Sequence, residues 1–244
     1  MSRELIDVLW RDHPAAPRRG ARGPRSRVTT SDVVDQAIAL ADAESLEAVT
    51  IRALAERLGI SPMSVYTHVN NREDLLVLMV DGAHAQMVLP RWTDQRWRPR
   101  VRQVAEANRA LLRAHPWLPQ IADPRSAIGP GTIAKYDHEL EAFDGTGLDP
   151  LERDAALTFV LDWVRTSAPA WTDHPATARF GEFWERTAAT LGSYVGDDFP
   201  LAREVGAAAG AANGAPYDAH RAWDFGLTRV VAGLSDLIEG APPP

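Results

Sequence analysis

The sequence predicts an all-α chain in which a small N-terminal helix-turn-helix unit precedes a larger helical region. Three observations support this fold class. Apolar residues after position 30 recur at the spacing of one helical face. A helix stop at Gly59 is followed within two residues by a helix start at Ser61 and Pro62. From about residue 92 onward, segments with helical spacing alternate with turns that contain Pro or Gly.

Thr30 or Ser31 can cap the start of the first predicted helix, because either hydroxyl can accept a hydrogen bond from the first turn. Asp32 and Asp35 place negative charge near that end, where the helix dipole favours it. One face of the helix carries the apolar residues Val34, Ala37, Ile38 and Ala41.

The second helix and its tight turn are indicated by their terminal residues. Thr50 can cap the start, and Gly59 stands where a helix end needs a residue that tolerates positive φ. Ser61 can cap the next helix, and Pro62 fits its first turn because the N–H that Pro lacks would have no partner there. So short a connection forces the sharp crossing of a helix-turn-helix.

The third helix is short, and its two faces differ. Rotation by about 100° per residue turns Val65 inward, with Val69 beside it and His68 near the inner edge. Asn71 then caps a longer helix over residues 72–89. The outer face of the short helix presents Met63, Ser64, Tyr66 and Thr67.

Composition excludes several kinds of site. The 244 residues contain no Cys, which rules out disulfides, thiolate metal ligands and Cys nucleophiles. No signal peptide and no apolar run of membrane-spanning length are visible, so we expect a cytoplasmic protein without a membrane partner. Of 26 basic residues only Lys135 is a lysine.

Charge is distributed unevenly. The formal net charge is −7, yet residues 1–72 hold 10 basic and 9 acidic side chains, against 16 and 24 in residues 73–244. Five arginines lie between Arg18 and Arg27. We predict a flexible basic arm over residues 1–27, with about one helical turn near residues 5–10, and the charge asymmetry suggests a nucleic-acid contact there. The alternative is a solubilising tail.

Enzymatic signatures are missing from the sequence. The HEL segment at residues 138–140 lacks the second His of an HExxH zinc site. No GxSxG elbow, Walker loop or GxGxxG segment occurs, and the seven histidines are scattered. We therefore expect no catalytic site, no metal and no cofactor.

The segment Thr29 to Asp81 resembles the N-terminal DNA-binding domain of TetR-type (tetracycline-repressor-like) transcription regulators. The distinctive matches run from Thr50 to Gly59 and from Ser64 to Arg72. The family often has Gly where Ser45 stands, so Ser45 must either take positive φ at some cost or end the first helix differently. The resemblance implies a DNA-binding domain over residues 28–75.

This resemblance implies roles for individual side chains. Residues facing base edges in the major groove would be Pro62, Met63, Ser64 and Thr67. Residues holding phosphates would be Thr50, Tyr66, His68 and Arg72, with Thr30 and Arg52 as further contacts. Because the short helix has no Lys or Arg, we predict that apolar and hydroxyl contacts, water and DNA shape dominate sequence recognition.

Residues 90–244 resemble the ligand-binding and dimerisation domain of the same family more weakly. Predicted helical segments cover residues 97–117, 129–147, 149–171, 175–195 and 217–240, with residues 206–216 as a flexible link. The family pairs the helix opened by Asp149 and Pro150, and the last helix, with their copies in a second subunit. The resemblance thus implies a homodimer on a palindromic double-stranded DNA operator.

The last helix itself indicates burial on two sides. Its apolar residues cover more than one face, although a helix buried within its own domain would look similar. These residues are Phe225, Val230, Leu234, Leu237 and Ile238.

The resemblance also implies a cavity for a small, partly apolar or aromatic effector. Each candidate lining residue has core packing as its alternative role. The candidates are His84, Met87, Asn108, Trp117, Tyr136, Phe159, Trp163 and Phe183.

The sequence therefore favours a ligand-responsive transcriptional regulator, most simply a repressor released from its operator by the effector. The principal alternative is a DNA-binding regulator without a small-molecule ligand, controlled by a protein partner.

Overall fold

The computed structural model describes residues 4–16, 28–92, 96–167, 175–213 and 218–240, and the regular elements within these ranges are helical. The α-helices are α1 (Leu5–Leu9), α2 (Thr30–Ala43), α3 (Ile51–Leu58), α4 (Pro62–Val65), α5 (Arg72–Ala85), α6 (Trp97–Ala114), α7 (Pro130–Leu140), α8 (Pro150–Ser167), α9 (Pro175–Val195), α10 (Pro200–Asn213) and α11 (Ala219–Glu239). Short 3₁₀ helices span Leu118–Gln120, Pro124–Ile128 and Glu141–Phe143. The all-α class is confirmed.

The chain divides into two compact units, Met1–Arg165 and Thr166–Pro244. The predicted change of domain near residue 90 is not a boundary between these units. Helix α5 explains the difference, since it packs against both α2 and α7. It therefore belongs to the helix-turn-helix region and to the helices that follow.

The N-terminal segment is more ordered at its start than a flexible arm would be. Helix α1 packs against α5, and Val8 and Leu9 are buried in the hydrophobic core. The indole N–H of Trp10 donates to the carbonyl of Ile128 at 2.8 Å. Arg11 donates to the hydroxyl of Ser31 at 2.8 Å. Residues 17–27, which include the five clustered arginines, lie outside the described residues.

The N-cap of helix α2 lies one residue earlier than expected. Thr29, rather than Thr30 or Ser31, is the N-cap, and its hydroxyl accepts from the Asp32 N–H while the Asp32 side chain accepts from Thr29. These hydrogen bonds, the one from the Thr29 backbone first, lower the pKa of Asp32. The helix ends at Ala43 without a glycine, and the Ser45 hydroxyl accepts from the Ala48 N–H.

Helix α5 ends at Ala85, before the predicted limit at residue 89. Its capping by Asn71 is confirmed, because the side chain accepts from the Asp74 N–H at 2.7 Å. Among the described residues, no helix combines the length and hydropathy needed to cross a lipid bilayer.

In the second unit, the flexible link predicted over residues 206–216 is wrong for its first part. Residues 206–213 form the second half of α10, which packs against α9. The several alanines there are the strongest helix formers and outweigh two glycines. Residues 214–216 lie outside the described residues.

In the first unit, Asp149 caps α8 as predicted, accepting from the N–H groups of Leu151 and Glu152.

Candidate DNA-binding surface and ligand cavity

The turn between α3 and α4 is built by local hydrogen bonds. The Thr50 hydroxyl accepts from the Ala53 N–H at 3.1 Å and starts α3. Gly59 takes φ +65°, a left-handed conformation that a side chain would disfavour. Ser61 then accepts from the Ser64 N–H at 3.1 Å and starts α4. The cap assignments made from the sequence are confirmed at all three residues.

The short helix α4 is anchored from beneath. Val65 and Val69 are both 0% exposed in the core cluster. On the opposite face Met63 is 74% exposed and Tyr66 is 49% exposed, and Thr67 and Pro62 are also exposed. The predicted division of the helix into a buried and an outer face is therefore confirmed, and the outer face can enter a groove without unfolding.

The hydroxyl groups on this outer surface are held in place. Thr67 Oγ1 donates to the Ser64 carbonyl at 2.6 Å. Ser64 Oγ lies 2.9 Å from Ser61 Oγ, and either atom can be the donor. Each hydroxyl oxygen keeps acceptor capacity for a base or a bridging water. Such fixed hydroxyls reduce the entropy lost when DNA binds.

His68 and Thr30 form a pair. His68 is 9% exposed, and its Nδ1 lies 3.3 Å from Thr30 Oγ1 at the start of α2. This contact joins the residues that follow α4 to the N-terminus of α2, where backbone N–H groups favour an anion. Both predicted phosphate contacts thus lie at one place, and part of the role of His68 is to position this terminus.

Arg72 has a structural role that sequence reasoning missed. Its guanidinium donates to the carbonyls of Leu46 at 3.0 Å and Val49 at 3.3 Å, and so secures the loop between α2 and α3. Arg52 is exposed on α3. Arg57, at the end of α3, pairs with Glu44 at 2.6 Å. The cations beside α4 are thus partly used within the fold.

A cavity of about 200 Å³ lies in the first unit, walled by α5, α6, α7, α8 and the segment around Leu118–Ile121. His84 and Asn108, two of the predicted ligand residues, line it. Its other lining residues are Val80, Leu111, Leu112, Leu118, Pro119, Ile121, Ser126, Lys135, Leu161, Val164 and Arg165.

A buried polar network forms one wall of this cavity. Lys135 Nζ donates to Glu139 Oε2 at 2.7 Å, and Asn108 Nδ2 donates to Glu139 Oε1 at 2.5 Å. Asn108 Nδ2 also donates to the Val104 carbonyl at 2.9 Å. Glu139 is fully buried, which is tolerable because both carboxylate oxygens are bonded. Lys135 and Glu139 were not predicted as site residues.

His84 is held in its neutral form. Burial, followed by the nearby positive charge of Lys135, lowers the pKa of His84 to about 3. Its Nδ1 lies 2.9 Å from Thr132 Oγ1 on α7. At neutral pH the ring therefore offers the cavity hydrogen bonding without charge.

The other six predicted ligand residues do not line this cavity. Trp117 is buried in the core, where its indole N–H donates to Asp42 Oδ1 at 2.6 Å. Tyr136 is exposed and its hydroxyl donates to Asp154 at 2.8 Å. Met87 is half-buried against the core, and Trp163 is half-buried on α8. Phe159 and Phe183 are exposed.

These six aromatic and sulfur-containing residues lie away from this cavity, because residue type does not reveal which face of a helix meets a cavity. For example, Phe159 is one position from Val160, which is buried, and about 100° of rotation carries it to the outside. The missed Lys135 had one signal, as the single lysine of the sequence. No cluster of three or more possible metal ligands occurs in the part of the chain that the structure describes.

Comparisons with known proteins agree with this architecture. The family model "Bacterial regulatory proteins, tetR family" matches residues 27–79, and the model "Tetracyclin repressor-like, C-terminal domain" matches residues 89–238.

Individual relatives match over nearly the whole chain. The HTH-type transcriptional repressor DrrR1 of Streptomyces coeruleorubidus is 30% identical, covering 96% of this chain and 85% of the relative. The structure of apo ActR from Streptomyces coelicolor is 26% identical with a TM-score of 0.69, covering 89% of this chain and 100% of that one. ActR in complex with actinorhodin gives 25% identity and a TM-score of 0.74, covering 87% and 98%.

The helix-turn-helix, the helical region that follows it and both family models point to one conclusion. The chain belongs to the TetR family of helix-turn-helix transcriptional regulators.

Proposed function

We propose that the protein is a cytoplasmic repressor that binds its operator as a homodimer and is released by a small ligand in the cavity beside α5. One observation carries this proposal. Val80 and His84 of α5 line the cavity, and the same helix starts at Arg72, shortly after α4. A ligand there would contact the helix that Asn71 caps, and this helix follows Val69, which lies in the same core cluster as Val65 of α4.

On the DNA side, the exposed face of α4 supplies the base contacts. Met63 and the ring of Pro62 would contact thymine methyl groups, and the Ser64 and Thr67 hydroxyls would bond base edges or bridging waters. Tyr66, Thr50, Arg52 and the His68–Thr30 pair would contact phosphates. Without a Lys or Arg on α4, non-specific affinity is low and DNA shape contributes strongly to recognition.

Exposed apolar residues support dimerisation. On α8, Leu151 and Phe159 are exposed although Val160 is buried, and on α11, Phe225 and Leu237 are exposed although Leu234 is buried. Such residues suit coverage by a second copy of the chain. A symmetric dimer would present two copies of α4 to half-sites about one helical turn apart, or a multiple of it.

Release by a ligand requires a difference in affinity. The ligand must bind the DNA-free arrangement of the dimer more tightly than the operator-bound arrangement. The relatives agree with this scheme: DrrR1 is named a repressor, and ActR was crystallised with actinorhodin.

The first experiment is selection of bound sequences from random DNA, followed by fluorescence anisotropy with the selected operator. Met63→Ala should weaken operator binding by about 1–2 kcal/mol, since it removes a base contact. Val88→Ala is the matched control, because Val88 is also exposed and apolar but lies beyond α5. Equal affinity of both variants and wild type would exclude α4 as the recognition element.

Ligand response is then measured on the same complex with a library of small metabolites. We expect at least one compound to lower operator affinity and to protect the protein against thermal unfolding. A library that stabilises the protein but never changes operator affinity would refute the induction scheme. A protein partner would then be the controlling factor.

A further inference from the structure

We propose that the cavity beside α5 is specific for an organic anion, in particular a carboxylate on a small apolar body, held by Lys135 and Arg165. What such binding does to DNA affinity depends on the proposed function above. The assignment of ligand class depends only on the charges and free hydrogen-bonding groups around the cavity.

The charge of the lining is one-sided. Among the described residues, the cavity is lined by two cations, Lys135 and Arg165, and by no Asp or Glu. This contrasts with the chain as a whole, which carries a formal net charge of −7. A small anion entering the cavity therefore meets attraction there without a competing carboxylate at the surface of the wall.

The ammonium group of Lys135 has N–H donors that the described residues do not use. Its Nζ donates to Glu139 Oε2 at 2.7 Å, and no other described group accepts from it. An ammonium group has three donors, so two remain for a ligand. Lys135 is 6% exposed, which means that these donors have little access to bulk water. A buried ammonium with unused donors gains strongly from a bound carboxylate.

Glu139 makes this arrangement possible without competing for it. Both of its oxygens are bonded, to Lys135 and to Asn108, and the residue lies behind the wall at 0% exposure. Its carboxylate compensates the ammonium charge of Lys135, because a buried cation without a partner would destabilise the fold. The pair is formally neutral, so the remaining positive charge comes from Arg165.

Arg165 is free of carboxylate partners among the described residues. One N–H of its guanidinium donates to the Pro119 carbonyl at 3.0 Å. The residue is exposed near the end of α8, while its side chain lines the cavity. The other N–H groups can bind a carboxylate through two parallel hydrogen bonds, the geometry that guanidinium favours.

The other lining groups restrict the rest of the ligand. Asn108 uses its amide N–H groups within the protein, which leaves Oδ1 to accept from a ligand hydroxyl. Leucine, isoleucine and valine side chains cover most of the remaining wall. A volume of about 200 Å³ limits the ligand to one ring or a short chain.

The test compares carboxylates with their neutral amides, which have nearly the same shape. Calorimetric titration of the full-length protein would use salicylate and salicylamide, cinnamate and cinnamamide, and hexanoate and hexanamide. We expect at least one carboxylate to bind about 10- to 100-fold more tightly than its amide, the effect of a hydrogen bond to a charged group. If no carboxylate in the panel binds more tightly than its amide, the proposal is overturned.

Variants locate the effect. Arg165→Gln should weaken the preferred carboxylate about tenfold and leave its amide unchanged. Arg113→Gln is the matched control, since Arg113 is exposed in the same unit but does not line the cavity. The double variant Lys135→Met with Glu139→Gln removes the buried charges together and should abolish the preference for carboxylate. A preference that survives both the Arg165 variant and the double variant would refute the assignment.

The two proposals can fail separately. An amide that binds as well as its carboxylate and releases the operator would overturn the anion assignment and support the ligand-responsive repressor. A carboxylate that needs Arg165 for binding but leaves operator affinity unchanged would support the anion assignment and overturn the induction scheme.

Discussion

Substitution of Arg72 separates a role in the fold from a role in DNA binding. Arg72→Met removes two hydrogen bonds to the carbonyls of Leu46 and Val49. At a partly exposed site these contribute about 1–2 kcal/mol together. The substitution also removes a positive charge from the first turn of α5, where a cation is unfavourable, and this stabilises the folded state by about 0.3–0.5 kcal/mol. The expected net loss of stability is therefore about 1 kcal/mol.

The assay is urea unfolding followed by circular dichroism, together with operator affinity measured as a function of salt. Arg52→Met is the matched control, because Arg52 is exposed on α3 and is proposed to contact a phosphate. We expect Arg72→Met to lower stability without changing the salt slope. Arg52→Met should keep stability and reduce the slope by about 0.9, the effect of one lost phosphate contact. The opposite pattern, a reduced slope and unchanged stability for Arg72→Met, would refute the structural role.

Three further predictions follow from single residues. Gly59→Ala should lower the free energy of unfolding by about 1–2 kcal/mol, because φ is +65° there, although no atom would collide with the new Cβ. Gly233 is helical and equally unobstructed, so Gly233→Ala should raise the free energy of unfolding by about 0.5–1 kcal/mol. A gain in stability for Gly59→Ala in the same unfolding assay would contradict this. Because the folded pKa of His84 is lowered to about 3, the unfolded state binds the extra proton first, and stability should fall by about 2 kcal/mol between pH 7 and pH 5. His84→Gln should remove that dependence, and its persistence would show another group to be responsible. Leu9→Ala should cost about 2–4 kcal/mol, since Leu9 is buried in the core, and a change near zero would mean that α1 is detached in solution.

The helix-turn-helix could be derived from the sequence because its geometry is set locally. Thr50, Gly59, Ser61 and Asn71 each act within about four residues, through a cap or a left-handed conformation. The alternation between buried Val65 and exposed Met63 then follows from helical rotation alone. In this region the predicted cap of α2 was wrong, because Thr29 caps the helix and forms a capping box with Asp32.

The residues that line the cavity beside α5 could not be derived in the same way. A Lys and a Glu four residues apart usually form a surface pair, and the sequence of α7 alone gives Lys135 and Glu139 no other meaning. They become a buried network because Asn108 of α6 donates to Glu139, and Lys135 lines a cavity together with residues of α5, α6 and α8. Trp117 differs from these residues, since it is buried in the core and its indole N–H donates to Asp42.

The helical structure of two whole segments also depends on tertiary contacts. Residues 206–213 looked like a linker because Gly interrupts the alanines, yet contact with α9 accompanies a helix there. Helix α1 is only five residues long and would not form in isolation, because short helices depend on packing. Its burial against α5 could not be foreseen from a segment that otherwise resembles a tail.

The sequence by itself determined the all-α class, the caps, the sharp turn before α4 and the outer face of that helix. These properties depend on backbone preferences and on residues a few positions apart. Only the tertiary structure decided that Arg72 holds a loop, that α1 joins the core, and that His84, Asn108, Lys135 and Arg165 surround one cavity. Those four residues come from four different helices, and helix periodicity carries no information about which helices pack together.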